Sequence, residues 1–488
     1  MQDAPDASNT TIQANVDKER SELTPLYSNA NDNGTLRLIV AFFLGFTITL
    51  TVALGVGIYY GKSQVVPHGG VTSDDETCSY IGASIMRQGG NAVDAAIAVS
   101  FCIGVVTPHL TGLASGGFML IYDHKDRKVI DSIDFRATRS NDGGIGVPGF
   151  VAGLYMAHEL HGKLPWKTLV MPAYRMAKNG FKVSASLIQS EQHLHEHSNH
   201  NENLRQWLTP LTVGEIIINM DLASTLLSIA ESGPAEFYNK TLVNDLKLVE
   251  MNSADIINYK PVRGTWLKES YEHYDIIVPG QGSGGPFLLN NLKLLNDSLS
   301  PLVSAVEAYT NAAVNWDPPF ASNINTVDVN DLYVSVVSGL GSLFGSQILT
   351  DSGFILNNIL ELTNDTDIRP TMLTTPIIVI ENENVCGRRL VFGGADVRDV
   401  AQALVYLLRN PTANITQSIS EPRVRILYPR IFVERPNRIS NDDFITFQQQ
   451  YEIHEAPRPY PSINVIQKIK DDITVVADWR GFGSGVVF

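Results

Sequence analysis

Apolar residues follow three patterns along this chain. From Leu38 to Tyr60 they run unbroken, "LIVAFFLGFTITLTVALGVGIYY", 23 residues without a charge. That run predicts a membrane-spanning helix, because about 20 apolar residues cross the hydrocarbon core of a bilayer. From Cys78 the spacing is mainly helical. "TCSYIGASIMRQGGNAVDAAIAVSFCIGVV" predicts two helices split by Gly89 and Gly90, the second carrying small residues that permit close packing. A glycine turn then leads into two strands, "FMLIYD" and "KVIDSIDF". Residues 147–235 read as mostly helical, and "GPFLLNNLKLLN" and "PLVSAVEAYTNAAV" add two helices. From Asn330 the pattern changes to short runs, "DLYVSVVSGL", "TPIIVIEN" and "RRLVFGGAD", which predict strands. A helix, "VRDVAQALVYLLRN", and further strands follow. This order predicts sheets sandwiched between helical layers.

The apolar run also divides the chain. Residues 1–37 are polar without a hydrophobic period and read as a disordered tail. Residues 38–60 are the span, 61–76 a linker and 77–488 a globular ectodomain. A cleaved signal peptide fits poorly: the preceding region is long and no small-residue cleavage site follows. Lys18, Arg20 and Arg37 precede the span, whereas only Lys62 closely follows it, ahead of "SDDE". The positive-inside rule then gives a single-pass type II protein, its ectodomain extracellular or luminal and the plasma membrane its expected location.

Composition adds two constraints. At 44% hydrophobic and 18% charged, the 488 residues suffice for a large buried core. The net charge of −15 argues against nucleic acid as a partner, because phosphate recognition needs a basic footprint. Four sequons, at Asn239, Asn296, Asn364 and Asn414, lie beyond the span and are candidate glycosylation sites. Of three cysteines, Cys78 and Cys102 stand 24 residues apart on the two early helices. A bridge between them contributes about 3–4 kcal/mol by the chain-entropy model. Cys386 is left over and is expected as a buried thiol. The cluster "HLHEHSNH" places His193, His197 and His200 on one helix face, with His195 between them, but nothing nearby completes a metal site. No metal or cofactor is expected, and P-loop, GxSxG, HExxH and CxxC motifs are absent.

Several long stretches carry a resemblance. "GGNAVDAAIAVSFCIGVVTPHLTGLASGGFMLIYD", "DFRATRS", "VPGFVAGLYMAHELHGKLPW", "FGSQILTDSGFILNN" and "ADWRGFGSG" resemble the gamma-glutamyltransferase (glutathione hydrolase) family. The likeness runs from Cys78 to the C-terminus, and the Cys78–Cys102 pair and type II anchor match animal members. It implies an α+β fold, a four-layer αββα sandwich of the N-terminal-nucleophile hydrolase type. Residues 77–320 then correspond to the family's large subunit and 321–488 to its small one. In active members a proenzyme cuts itself, and the exposed threonine attacks a gamma-glutamyl amide, its own amine helping to activate the hydroxyl.

The site residues depart from that pattern. An ungapped count back from Ser346 puts the nucleophile threonine on Ala321 and the family histidine two residues on at Asn323. Ser322 and Thr326 are the nearby hydroxyls, and Ser322 is the candidate for a shifted nucleophile. Arg136 matches the arginine that grips the glutamyl α-carboxylate. Gly393 and Gly394 match the pair whose amides form an oxyanion hole. The remaining polar positions fall on Gly339, Gly341, Ile359, Leu362, Met372 and Leu373, and a long insert before Ala321 is missing. The expectation is an uncut chain without the family's activity, acting by binding or scaffolding, with an active relative or another surface protein as its partner. The alternative is a residual or altered gamma-glutamyl hydrolase or transferase of glutathione-like substrates that uses Ser322.

Overall fold

The computed structural model describes residues 33–60, 68–197, 202–208, 211–310, 319–363, 366–410, 414–427 and 429–488. The chain divides into two units, Met1–Val66 and Pro67–Phe488. In the first, helix α1 (Asn33–Tyr60) contains the predicted span and starts five residues earlier than Leu38. Its threonines bond back into the helix: Thr47 Oγ1 donates to the Phe43 carbonyl, Thr49 to Gly45 and Thr51 to Thr47, at 2.7–2.9 Å. No polar side chain among these three therefore needs an outside partner, which is what a lipid environment demands.

In the second unit, thirteen strands among the described residues form two large sheets. They are β1 (Gly70–Ser73), β2 (Gly116–Asp123), β3 (Lys128–Asp134), β4 (Val262–Arg263), β5 (Trp266–Tyr271), β6 (Tyr274–Pro279), β7 (Phe320–Val327), β8 (Leu332–Gly341), β9 (Thr375–Glu381), β10 (Arg388–Gly394), β11 (Val465–Ile469), β12 (Asp472–Val476) and β13 (Ser484–Val487). The seven-stranded sheet runs β13-β1-β7-β8-β2-β3-β4, and the six-stranded sheet β12-β11-β10-β9-β6-β5. All pairings within them are antiparallel.

Successive strand residues point to opposite faces, so both sheets bury two sets of side chains. On the larger sheet Met119, Ile121, Val334 and Val336 pack with helices α2 (Glu76–Arg87), α3 (Ala92–Val106), α4 (Phe150–His161), α5 (Trp166–Asn179) and α6 (Met220–Ser232). Their neighbours Leu120, Tyr122 and Tyr333 instead join Ile277, Ile378, Ile380 and Val391 of the other sheet in a separate core. The alternate residues of that second sheet, Ile276, Val278, Ile377, Val379 and Phe392, pack with α7 (Gly285–Leu292), α8 (Pro301–Thr310) and α9 (Val397–Arg409).

Helix α3 is buried along its whole length. A helix without a polar face must satisfy its ends internally, and Asn91 does so: its side chain accepts from the Asp94 amide while Asp94 accepts from the Asn91 amide. Cys102 of α3 is bonded to Cys78 of α2, Sγ–Sγ 2.06 Å. Cys386 departs from expectation. It is exposed rather than buried, because it lies in the turn between β9 and β10 where the chain reverses at the surface. Of the histidine cluster, His193 lies on the helix Ala185–His197, while the side chains of His195, His197 and His200 fall outside the described residues. Among the described residues no three His, Cys, Asp or Glu side chains converge as metal ligands. Asn239, Asn296 and Asn414 are exposed, and Asn364 lies outside the described residues.

Asp245 is buried, and its carboxyl is raised to about 6 by that burial first and by the Asp351 charge, against a hydrogen bond with Ser352 that lowers it. A folded-state value above the unfolded one means the folded chain binds the proton more tightly. Stability is therefore lost as pH rises from about 4 to 6. Asp245→Asn removes that loss: at pH 7.5 the variant melts above the parent and is more stable by on the order of 2 kcal/mol, and the gain vanishes near pH 4. An unchanged difference across that range, followed by calorimetry, contradicts this.

Candidate active site

Ala321 is the second residue of β7, which lies between β1 and β8. The β7–β8 register is regular up to Ser338 opposite Ser322 and then shifts, so that Gly341 faces Phe320. Ala321 is buried in this irregular stretch, its methyl packed in a small cluster with Val337 and Ala395. Gly339 makes the close approach feasible. A β-carbon there would lie 2.4 Å from the Phe320 carbonyl oxygen and 2.8 Å from the Ala321 Cβ. Gly341 has φ +106°, a conformation that favours glycine, and a β-carbon would meet Asn358 Oδ1 at 2.5 Å.

The next residue points elsewhere. Ser322 is fully buried, and its hydroxyl donates to Asp74 Oδ2 at 2.6 Å. Asp74, just after β1, also accepts from Ser462 Oγ at 2.6 Å, Asn464 Nδ2 at 2.9 Å and the Asn323 amide at 3.4 Å. Burial raises its carboxyl above the usual range, and these four hydrogen bonds counteract that. Asn323 and Asn325 continue the network: Asn325 Nδ2 donates to Asn323 Oδ1 and to the Asn464 carbonyl, and Asn464 Nδ2 to the Asn323 carbonyl, at 2.8–2.9 Å. Thr326 Oγ1 donates to the Ala92 carbonyl of α3 at 2.7 Å. Both hydroxyls near Ala321 are thus committed to interior acceptors.

Arg136 follows β3 and is likewise engaged. Its Nε and Nη2 form a paired contact with the Asp134 carboxylate at 2.7–3.1 Å, and Nη1 donates to the Arg369 and Pro370 carbonyls at 2.9 Å. The guanidinium lies 5.4 Å from the centre of the Phe118 ring. Gly282, φ +90°, closes the other side: a β-carbon there would fall 2.2 Å from the guanidinium carbon. Phe118 in turn packs with Ala137, Ile359 and Met372 in a small apolar cluster. Between Phe320, Gly341, Ile359, Leu362, Met372 and Leu373 a cavity of only about 30 Å³ remains. That is about the share of one water molecule, against roughly 300–1,000 Å³ for ligand pockets.

Gly393 and Gly394 end β10, opposite Pro376 and Thr375 of β9. A β-carbon on Gly393 would lie 2.8 Å from Val337 Cγ2, so this glycine stands beside the Ala321 cluster. The structure therefore brings Ala321, Gly339 and Gly393 together, and groups Ile359 and Met372 beneath Arg136. The sequence reading missed Asp74 and Asp134. Asp134 was visible in "DFR", two residues before Arg136, whereas nothing local marks Asp74 as the acceptor of groups up to 390 positions away.

Residues 78–315 and 296–488 match the family profile described as Gamma-glutamyltranspeptidase. The chain belongs to the gamma-glutamyltranspeptidase family. Curated relatives include "Glutathione hydrolase 7" of Rattus norvegicus, 27% identical over 496 residues, covering 80% of this chain and 74% of the relative. "Glutathione hydrolase 2" of Arabidopsis thaliana is 28% identical over 510 residues, covering 81% and 86%. Among solved structures, cephalosporin acylase from Bacillus halodurans superposes with a TM-score of 0.73 at 16% identity, covering 86% of this chain and 96% of that one. This likeness concerns the fold alone, the mixed α/β fold of N-terminal-nucleophile hydrolases that the family resemblance implied.

If Ser322 Oγ is a structural donor to a buried carboxyl group, Ser322→Ala leaves Asp74 short of one hydrogen bond. The variant should then lose about 1–3 kcal/mol of stability, read as a lower denaturation midpoint with an unchanged slope. A neutral substitution contradicts that role.

Proposed function

We propose that this chain is a gamma-glutamyltransferase-like type II membrane protein that stays uncut, lacks the family's hydrolase and transferase chemistry, and acts as a binding or scaffold protein. The observation that carries the reading is Ala321, a buried methyl packed on Val337 and Ala395 at the position that corresponds to the nucleophile. A methyl has no oxygen with which to cut the chain or to form an ester. Ser322 offers no ready substitute, because its hydroxyl is fully buried and held by Asp74. Moving it to a reacting position means leaving that carboxylate short of a donor in the interior, an unfavourable exchange.

The substrate side supports the same reading. Arg136 retains the residue type but spends its guanidinium on Asp134 and two carbonyls. Ile359 and Leu362 stand at the positions that the family resemblance gives to the acceptors of a glutamyl α-amino group, and Ile359 packs in an apolar cluster with Met372. Bringing an ammonium ion there without a partner costs several kcal/mol. Glu361, the carboxylate nearest in sequence, accepts from Asn358 Nδ2 at 3.1 Å. The backbone contribution of Gly393 and Gly394 is then a relic of the fold rather than a working oxyanion hole.

The packing also favours the finer architecture of the proposal. Three separate cores, helices on sheet, sheet on sheet and sheet on helices, support the four-layer αββα sandwich. The uncharged run Leu38–Tyr60 within α1 supports a membrane anchor at the N-terminal side. The partner on this reading is another surface protein or an active relative, at the plasma membrane, and not nucleic acid.

Full-length chain purified in detergent should release no product from a gamma-glutamyl anilide above an enzyme-free blank, with or without a dipeptide acceptor. Turnover that scales with protein concentration overturns the reading.

A further inference from the structure

Away from the Ala321 region, the C-terminal third gathers arginines around two aromatic rings. Arg435 follows the short strand Arg430–Val433 with φ +50°, a left-handed backbone unusual for a side chain of its size. Its guanidinium carbon lies 3.6 Å from the centre of the Trp479 ring. Trp479 meets Tyr460 edge-on, ring centres 6.1 Å apart, and Arg458 sits over Tyr460 at 5.9 Å. Arg438 is three residues beyond Arg435. Burial, and then the charges of Arg438, Arg480 and Arg458, lower the proton affinity of Arg435, so these groups share one electrostatic neighbourhood.

The counter-charges at this place are already used. Arg480, also stacked on Trp479 at 4.8 Å, takes Glu434 and Asp478, and Arg423 takes the other oxygen of Asp478. Among the described residues, none of Arg435, Arg438 and Arg458 has a carboxylate within ion-pair distance. Arg438 also borders a cleft of about 390 Å³ that carries Glu421 and Asp443. Those carboxylates bias an anion away from the cleft and toward the aromatic side. The Trp479 indole Nε1 is itself buried without a hydrogen-bond partner among the described residues. Unpaired like charges held together in a chain of net charge −15 repel one another unless something anionic joins them.

We propose that Arg435 and Arg458, set on the Trp479–Tyr460 shelf, form with the neighbouring Arg438 a site for sulfate or phosphate groups. Guanidinium forks match the geometry of such oxyanions, and stacking on a ring holds the fork without using its N–H donors. The group is either a free inorganic anion or a sulfate carried on a polysaccharide.

Trp479 reports occupancy directly. Full-length chain in neutral detergent is titrated with inorganic sulfate, inorganic phosphate and, separately, heparin as a sulfated polysaccharide. Intrinsic fluorescence is followed, and Trp479→Phe identifies the signal among the five tryptophans. A saturable change with an inorganic anion places the free ion at the site; a change with heparin alone places the polysaccharide there. In either case Arg438→Ala and Arg458→Ala, both at exposed positions, each weaken apparent affinity roughly tenfold with an unchanged melting temperature. Absence of any saturable change, or affinity equal to the parent's in both variants, overturns the proposal.

Discussion

A single buried carboxylate organises the centre of this fold. Asp74 leaves the end of β1 and receives donors from β7, through Ser322 and the Asn323 amide, and from the segment before β11, through Ser462 and Asn464. Four donors aimed at its two oxygens satisfy the acceptor sites of this carboxyl group. Without them its burial would be expensive, and with them the strand that holds Ala321 is fixed from both flanks. The position of the Ala321 methyl, and the inward turn of the Ser322 hydroxyl, follow from that anchoring.

The region beside Ala321 is closed by apolar side chains and by close backbone approach. Glycines at 339 and 341 let β8 and the Asn358 loop close on β7, and Ile359 and Met372 join Phe118 and Ala137. Arg136 remains, and a buried guanidinium must be satisfied. Asp134, the Arg369 and Pro370 carbonyls and the Phe118 ring satisfy it from within the chain. The sheets and helices that frame this region are themselves held by apolar faces remote from it.

Much of the scaffold was legible in the sequence because its signals are local. "TPIIVIEN" and "RRLVFGGAD" read as strands and are β9 and β10; "VRDVAQALVYLLRN" reads as a helix and is α9. Strand β7 was not read as one. Its Ser322, Asn323, Asn325 and Thr326 are all fully buried, and polar residues at buried positions look like a loop when only periodicity is consulted. Their partners, Asp74, Asn464 and the Ala92 carbonyl, lie far away in the chain. The same limit applied to Arg136, whose identity was clear from its motif while its engagement with Asp134 required coordinates. Cys386 was misjudged for the converse reason. Burial statistics for cysteine are averages, and a hairpin turn overrides them.

Self-cleavage is the step on which the rest of the family's chemistry depends, so the state of the chain at Ala321 is the most direct test. The measurement is the denatured mass of the full-length protein after enzymatic removal of any glycans. A single species at the mass of the 488-residue chain is the predicted result. Two fragments, the second beginning at Ser322 or close to it, would contradict the account. They would mean that the hydroxyl held by Asp74 had reached a peptide bond and cut it.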